Sequence, residues 1–157
     1  MNYIGIDPGL SGAVAMLSSS GSVLALDDTP VASVGKKHVY LPREMKRLIF
    51  ELAASGEVIA VLEDVHAMPK QGVTSTFSLG RGAGLWEGIL VGIGVPYELV
   101  KPELWKKIMM SGMGKDKDAS RVKALQLFPA AINSLALKKH HGRADALLLA
   151  EYRRRIG

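Results

Sequence analysis

The order of apolar and polar positions predicts a small α/β domain in which strands come first. Residues 2–7, 13–17 and 22–26 are short apolar runs, and a serine-rich stretch ending at Gly21 joins the last two as a hairpin. Residues 58–62 are continuously apolar, as is usual for a central strand that is covered on both faces. Residues 97–100 predict one further short strand.

Helical periodicity dominates the rest of the chain. Pro42 suits the first turn of a helix that runs to about Gly56, because Met45, Ile49 and Leu52 give this segment one apolar face. Further helices are predicted at 101–107, 118–128 and about 142–155, and loops at 29–41, 64–73 and 111–118.

The longest predicted helix begins at a cap, Thr74 or Ser75, and ends near Ile93. It carries glycine at every fourth position, at Gly80, Gly84, Gly88 and Gly92. Each interior glycine costs roughly 0.8–1 kcal/mol relative to alanine. This glycine stripe therefore predicts that another backbone approaches closely, either across a two-fold dimer interface or on the sheet.

Composition and charge narrow the choice of partners. The 157 residues predict one domain spanning 1–157, and the absence of cysteine excludes disulfides and thiolate metal sites. No secretion signal is visible and the most apolar stretch, 85–100, is a poor membrane span, so we expect no membrane partner. The net charge of +5 favours a polyanion. Basic residues cluster at 36–38, 43–47, 106–107, 115–123, 138–143 and 153–155.

Three acidic residues adjoin apolar runs and are the candidate catalytic or metal-binding residues. Asp7 and Glu63 each end a predicted strand, and Asp145 opens the apolar run of the last helix. Converging carboxylates would raise one another's pKa or hold a hard divalent cation. Simpler roles also exist, since a turn aspartate can cap its own backbone and a glutamate can form an ion pair. His141 lies four residues before Asp145, on the same helix face, and is a candidate ligand or proton-transfer group.

Several motifs resemble those of RuvC-type Holliday-junction resolvases, in particular their phage and organellar branch. They are Gly5-Ile6-Asp7-Pro8-Gly9, Leu62-Glu63 with His66-Ala67-Met68-Pro69, the Gly-Arg-x-x-Gly of Gly80 to Gly84, Trp105-Lys106-Lys107, and His141-Gly142-Arg143-Ala144-Asp145. The motifs cover nearly the whole chain in the same order. The resemblance implies an RNase H-like α/β fold, with a mixed five-stranded sheet flanked by helices.

The resemblance also implies a function and a set of site residues. It implies a homodimeric, metal-dependent endonuclease that resolves four-way DNA junctions by paired symmetric nicks leaving 5′-phosphates, with no small-molecule cofactor. Two Mg²⁺ ions, or Mn²⁺ in their place, are expected per site, with Asp7 bridging them, Glu63 on one, and Asp145 and His141 on the other. The residues expected to contact DNA are His66, Lys70, Phe77, Arg81, Lys106, Lys107, Lys115, Lys117 and Arg143.

Two departures from the family pattern leave alternatives open. His141 stands where many relatives have a fourth carboxylate, which is compatible with a junction-binding protein whose cleavage is impaired. His66 stands where cellular relatives have an aromatic wedge, and Phe77 either stacks on a junction base in its place or is a core residue. A third alternative, an actin-like ATP-binding domain, rests only on Asp7-Pro8-Gly9. We expect a cytoplasmic location in a bacterial or phage-infected cell, with an organellar origin left open.

Overall fold

The computed structural model describes all 157 residues and contains one mixed five-stranded sheet. In chain order its strands are β1 (Asn2–Asp7), β2 (Ala13–Leu17), β3 (Val23–Asp28), β6 (Val58–Glu63) and β7 (Tyr97–Val100), with β4 (Val31–Val34) and β5 (Lys37–Tyr40) forming a separate hairpin. The spatial order is β3-β2-β1-β6-β7. The first three strands are antiparallel, whereas β6 and β7 run parallel to β1.

Helices cover both faces of the sheet. They are α1 (Pro42–Ala53), α2 (Val73–Ile93), α3 (Pro102–Met109), α4 (Ala119–Leu127) and α5 (His141–Ile156), with 3₁₀ segments at Pro129–Leu135 and Lys138–His140. Side chains alternate along β2, so that Val14 and Met16 meet the core beneath α1 and α2. Ala15 and Leu17 face the other core, beneath α3, α4 and α5. The predicted α/β class and five-stranded sheet are confirmed.

The burial of β6 and α5 explains why their sequences are so apolar. Along β6, Ala60 and Leu62 enter one core and Val61 enters the other, so no position is left for a polar side chain until Glu63. The segment Ala146–Ala150 of α5 is fully buried across β1 and β2. Each element therefore carries a carboxylate next to its buried run: Glu63 follows the run in β6, and Asp145 precedes the run in α5. No helix is long and apolar enough to cross a membrane.

Residues 31–40 are a hairpin, so the prediction of a loop over 29–41 is wrong. Val34 pairs with Lys37, which leaves a two-residue turn at Gly35 and Lys36 with Gly35 at a φ of 61°. Most side chains of the hairpin are exposed, so the sequence shows no alternation of buried and solvent-facing residues. The buried residue is Tyr40, at its end.

Two predictions about α2 also need correction. The helix is capped by Gly72 rather than by Thr74 or Ser75. The glycine stripe does not face the sheet, because all four glycines are exposed and a Cβ added to any of them would contact nothing within 4 Å. The close approach occurs instead at Gly82, where a Cβ would collide with the carbonyl of Pro8 and the hydroxyl of Tyr40.

Several basic residues are held in ion pairs within the protein. The Arg143 guanidinium bonds both oxygens of Asp28, at 2.6 and 2.8 Å, and the carbonyl of Ser134 at 2.9 Å. At the end of α5, the buried Glu151 accepts hydrogen bonds from Arg154 and Arg155. The Arg143 pair fixes α5 against β3, and the Glu151 pairs, which lie within α5, neutralise part of the C-terminal basic cluster.

Candidate active site

Two of the three carboxylates lie side by side because their strands are parallel neighbours in register. Ile6 pairs with Leu62 across β1 and β6, so Asp7 and Glu63 follow at the same edge of the sheet. Neighbouring strands lie about 4.8 Å apart. Each carboxylate follows a residue with a fully buried side chain, which fixes where its backbone leaves the core.

The third carboxylate comes from the first turns of α5. Gly142 packs directly on the loop after β1, where a Cβ would collide with the carbonyl of Ser11 and would come within 3.2 Å of Asp7 Oδ2. A glycine is therefore needed for α5 to begin there. One turn later, Asp145 projects toward the same edge and lies close enough to Asp7 to repel it. The three predicted acids are brought together.

The pKa values of all three carboxyl groups are raised, and burial is the largest cause in each case. Asp7 has a pKa of about 8 because burial is reinforced by the negative charges of Asp145 and Glu63. The pKa of Glu63 is raised less than burial alone would raise it, since a hydrogen bond from Trp105 favours the charged form. Ser120, Lys106 and His141 oppose the rise in the pKa of Asp145. The site therefore favours a cationic ligand.

The residues fit a hard divalent cation by their donor chemistry. Asp145 Oδ1 is buried and has no hydrogen-bond partner, which is costly unless a ligand completes its coordination. Carboxylate oxygens are the ligands that Mg²⁺ prefers, and Mn²⁺ also accepts an imidazole such as that of His141. No three histidine, aspartate or glutamate side chains surround a single ion position as they stand.

A cleft rich in lysine adjoins the acidic cluster at Asp145. Its walls include Lys106, Lys115 and Lys117, and His141 and Asp145 lie within it. Lys106 also lowers the pKa of Asp7, Glu63 and Asp145, so its ammonium group lies near all three carboxylates. Lysines that suit a phosphate backbone thus lie beside the acids that suit a metal ion.

The other predicted DNA contacts divide into three groups. Lys70, Phe77, Arg81 and Lys107 are exposed, and Lys70 has a φ of 66°. His66 is also exposed and lines a small pocket with Thr76 and Gly80. Phe77 is 74% exposed, so the alternative that it belongs to the core is wrong. The guanidinium of Arg143 is occupied by Asp28 and Ser134, which leaves it little capacity for phosphate.

Three residues of the site were missed by sequence reasoning. Trp105 donates a 2.9 Å hydrogen bond from Nε1 to Glu63 Oε1. Tyr40 donates to the carbonyls of Pro8, at 3.4 Å, and Ser78, at 3.0 Å, and so ties the hairpin to the loop after Asp7. Ser120 lines the cleft beside Asp145. The Trp-Lys-Lys motif was the one available signal, and it pointed to Trp105.

Comparisons with known proteins place the fold. No protein-family model matches the chain. The chain is 36% identical over 85 residues, 54% of its length, to the chloroplastic Holliday junction resolvase MOC1 of Chlamydomonas reinhardtii, and it spans about a tenth (10%) of that longer protein. It resembles RuvC of Thermus thermophilus bound to a Holliday junction substrate, with a TM-score of 0.64, 16% identity, and coverage of 100% of this chain and 96% of RuvC.

A second structure of Thermus thermophilus RuvC gives the same result. The TM-score is 0.63 at 17% identity, with 100% of this chain and 97% of RuvC covered. The chain therefore has the RuvC, RNase H-like fold over its whole length, and the resemblance read from the motifs is confirmed at the level of the fold. Its single five-stranded sheet has the strand order β3-β2-β1-β6-β7.

Proposed function

We propose that the protein is a metal-dependent, structure-selective endonuclease that cuts four-way DNA junctions. The observation that carries this proposal is the cluster of Asp7, Glu63 and Asp145, which adjoins a lysine-lined cleft through Asp145. The RuvC fold and the resemblance to MOC1 support the choice of a branched DNA over other polyanions.

Asp7, Glu63, Asp145 and His141 would hold two Mg²⁺ ions, or Mn²⁺ in their place. Bound ions of this kind supply an activated water and stabilise the oxygen that leaves the scissile phosphate. The protein contributes the placement of the acids on rigid elements and the burial that makes them favour a cation. Cleavage would leave 5′-phosphate ends.

The lysines of the cleft would bind the phosphate backbone. Lys106, Lys115 and Lys117 lie on its walls, and the exposed Lys107 extends the positive surface along α3. Such contacts position DNA and carry no sequence information. Selectivity for a junction would come from the arrangement of exposed residues beyond the cleft, His66, Lys70, Phe77 and Arg81.

We infer that the protein acts as a homodimer, because resolving a junction takes two symmetric cuts. The glycine stripe of α2 supports this inference, since Gly84, Gly88 and Gly92 line an open groove and a Cβ added to any of them would contact nothing within 4 Å. Val91, on the same helix, is 64% exposed. A two-fold axis near this groove would bury the same surface on both subunits.

A second candidate is a junction-binding protein with impaired cleavage. It is favoured by His141, an exposed imidazole at the position where the resemblance expects a carboxylate. An imidazole contributes no negative charge, so Mg²⁺ would bind more weakly than in an all-carboxylate site.

One experiment separates these candidates. A mobile four-way junction and a linear duplex of the same sequence are incubated with the protein in Mg²⁺ or Mn²⁺. We expect paired nicks in the junction, faster in Mn²⁺, and an intact duplex. Tight junction binding without nicks in either metal would support the second candidate, and equal binding of both DNAs would contradict a junction-resolving role.

A further inference from the structure

Trp105 is a buried aromatic residue whose only polar side-chain atom points at the candidate metal site. Its side chain is fully buried, and its Nε1–H donates a 2.9 Å hydrogen bond to Glu63 Oε1. Packing in the core does not require this bond. The other tryptophan, Trp86, is equally buried and leaves its Nε1 without a partner. The contact between Trp105 and Glu63 is therefore a specific feature of the site.

The fold places the indole with little freedom. Glu63 pairs in register with Val100 at the ends of β6 and β7, and the Asp64 amide donates to the carbonyl of Val100 at 2.9 Å. The chain then turns at Lys101 into α3, so position 105 lies about one helical turn beyond the strand. Trp105 consequently reaches back to the end of β6 from a rigid element.

The same ring also faces a cation of the cleft. Lys106 Nζ lies 5.1 Å from the centroid of the Trp105 ring, a distance at which an ammonium group is attracted to an aromatic face. Lys106 lines the cleft together with Asp145. The edge of the Trp105 indole thus bonds the Glu63 carboxylate, and its face lies near the Lys106 ammonium group.

We propose that Trp105 is a positioning residue of the metal site, which holds Glu63 Oε1 so that Oε2 is presented to a divalent cation. This inference rests on the proposed function, because it assigns Trp105 a role toward the ions that the three acids would hold. Hydrogen-bond partners of metal ligands fix ligand orientation, and their loss typically lowers metal affinity by about 10–100-fold.

The first test follows the wild-type indole directly, without DNA and without cleavage. The chain contains two tryptophans, so the ¹⁵N-labelled protein gives two indole N–H resonances, which Trp86→Phe assigns. Mg²⁺ is titrated while its affinity is measured by calorimetry. We expect the Trp105 resonance to shift and to saturate with the calorimetric Kd, while the Trp86 resonance stays in place. A stationary Trp105 resonance in protein that binds Mg²⁺ would overturn the inference.

The second test removes the donor and keeps most of the ring. Trp105→Phe should weaken Mg²⁺ binding by about 10–100-fold, whereas the matched control Trp86→Phe should leave it unchanged. In a Glu63→Gln background, Trp105→Phe should cause no further loss. A similar loss in that background would mean that the substitution acts through the core, and would refute the positioning role. If wild-type protein binds no Mg²⁺ at all, the proposed metal-dependent function itself fails.

Discussion

Replacing Asp7 with asparagine should stabilise the metal-free protein at neutral pH. The carboxyl group has a pKa of 3.8 in an ordinary environment and about 8 in the folded protein. At any pH between these two pKa values, the Asp7 carboxyl group is ionised in the unfolded chain and protonated in the folded protein. The free energy of unfolding of the wild type therefore falls by about 1.4 kcal/mol for each pH unit over this range.

The size of the effect at pH 7 follows from the same numbers. Between pH 3.8 and pH 7 the free energy of unfolding of the wild type falls by roughly 4 kcal/mol in total. An asparagine at this position never ionises, but its amide N–H₂ group lacks a partner, which costs about 1–3 kcal/mol. We expect Asp7→Asn to be more stable by about 1–3 kcal/mol at pH 7 in EDTA. The advantage should vanish between about pH 4.5 and pH 6, and at pH 4 the wild type should be the more stable protein.

Urea unfolding between pH 4 and pH 8 measures this difference, with and without Mg²⁺. The matched control is Asp28→Asn. Arg143 lowers the pKa of Asp28, so this substitution should destabilise the protein at neutral pH, whereas Asp7→Asn should stabilise it. The Asp28 carboxylate stabilises the protein at neutral pH, and its contribution is lost as the pH falls through its folded-state pKa. Mg²⁺ should stabilise the wild type and leave Asp7→Asn unaffected. An Asp7→Asn variant that is less stable than the wild type in EDTA at pH 7 would show that burial and repulsion do not destabilise the Asp7 carboxylate.

Three further predictions address the surface and the frame of the site. Lys115→Ala combined with Lys117→Ala should reduce the slope of log K against log salt by about 2 in anisotropy titrations, since each phosphate contact contributes roughly 0.9; an unchanged slope would exclude both lysines. Arg143→Ala should lower the free energy of unfolding by about 1–3 kcal/mol in denaturant and leave the salt slope unchanged, because its guanidinium bonds Asp28 and Ser134. Gly84→Leu should convert a dimer into a folded monomer in sedimentation experiments, because position 84 is exposed; a wild-type monomer at micromolar concentration would contradict the dimer.

The sequence predicted those parts of the fold in which burial dictates residue type. β6 and α5 are continuously apolar because their side chains pack into the cores, and this pattern is visible in the sequence. For the same reason a carboxylate at the end of such a run is conspicuous. Asp7, Glu63 and Asp145 could therefore be predicted as a cluster before any contact was known.

The features that the sequence did not predict depend on tertiary contacts, which produce no periodic pattern of apolar residues. The β4–β5 hairpin is mostly exposed, so only Gly35 and the flanking valines hinted at it. The close packing at Gly82 depends on Tyr40, which lies 42 residues earlier in the chain. The bond between Trp105 and Glu63 also joins positions 42 residues apart. The Trp-Lys-Lys motif marks position 105 without identifying Glu63 as its partner, and the glycine repeat has no close neighbour within the chain.

In the proposed reaction, three carboxylates and a metal ion cut a junction that the lysines hold. The most direct measurement compares cleavage and binding of one four-way junction by the wild type, Glu63→Gln and Asp145→Asn in Mg²⁺ and Mn²⁺. We predict that each variant loses cleavage and binds the junction as tightly as the wild type or more tightly, because removing a negative charge reduces repulsion of phosphate. Near-normal cleavage by either variant would exclude that carboxylate from the reaction.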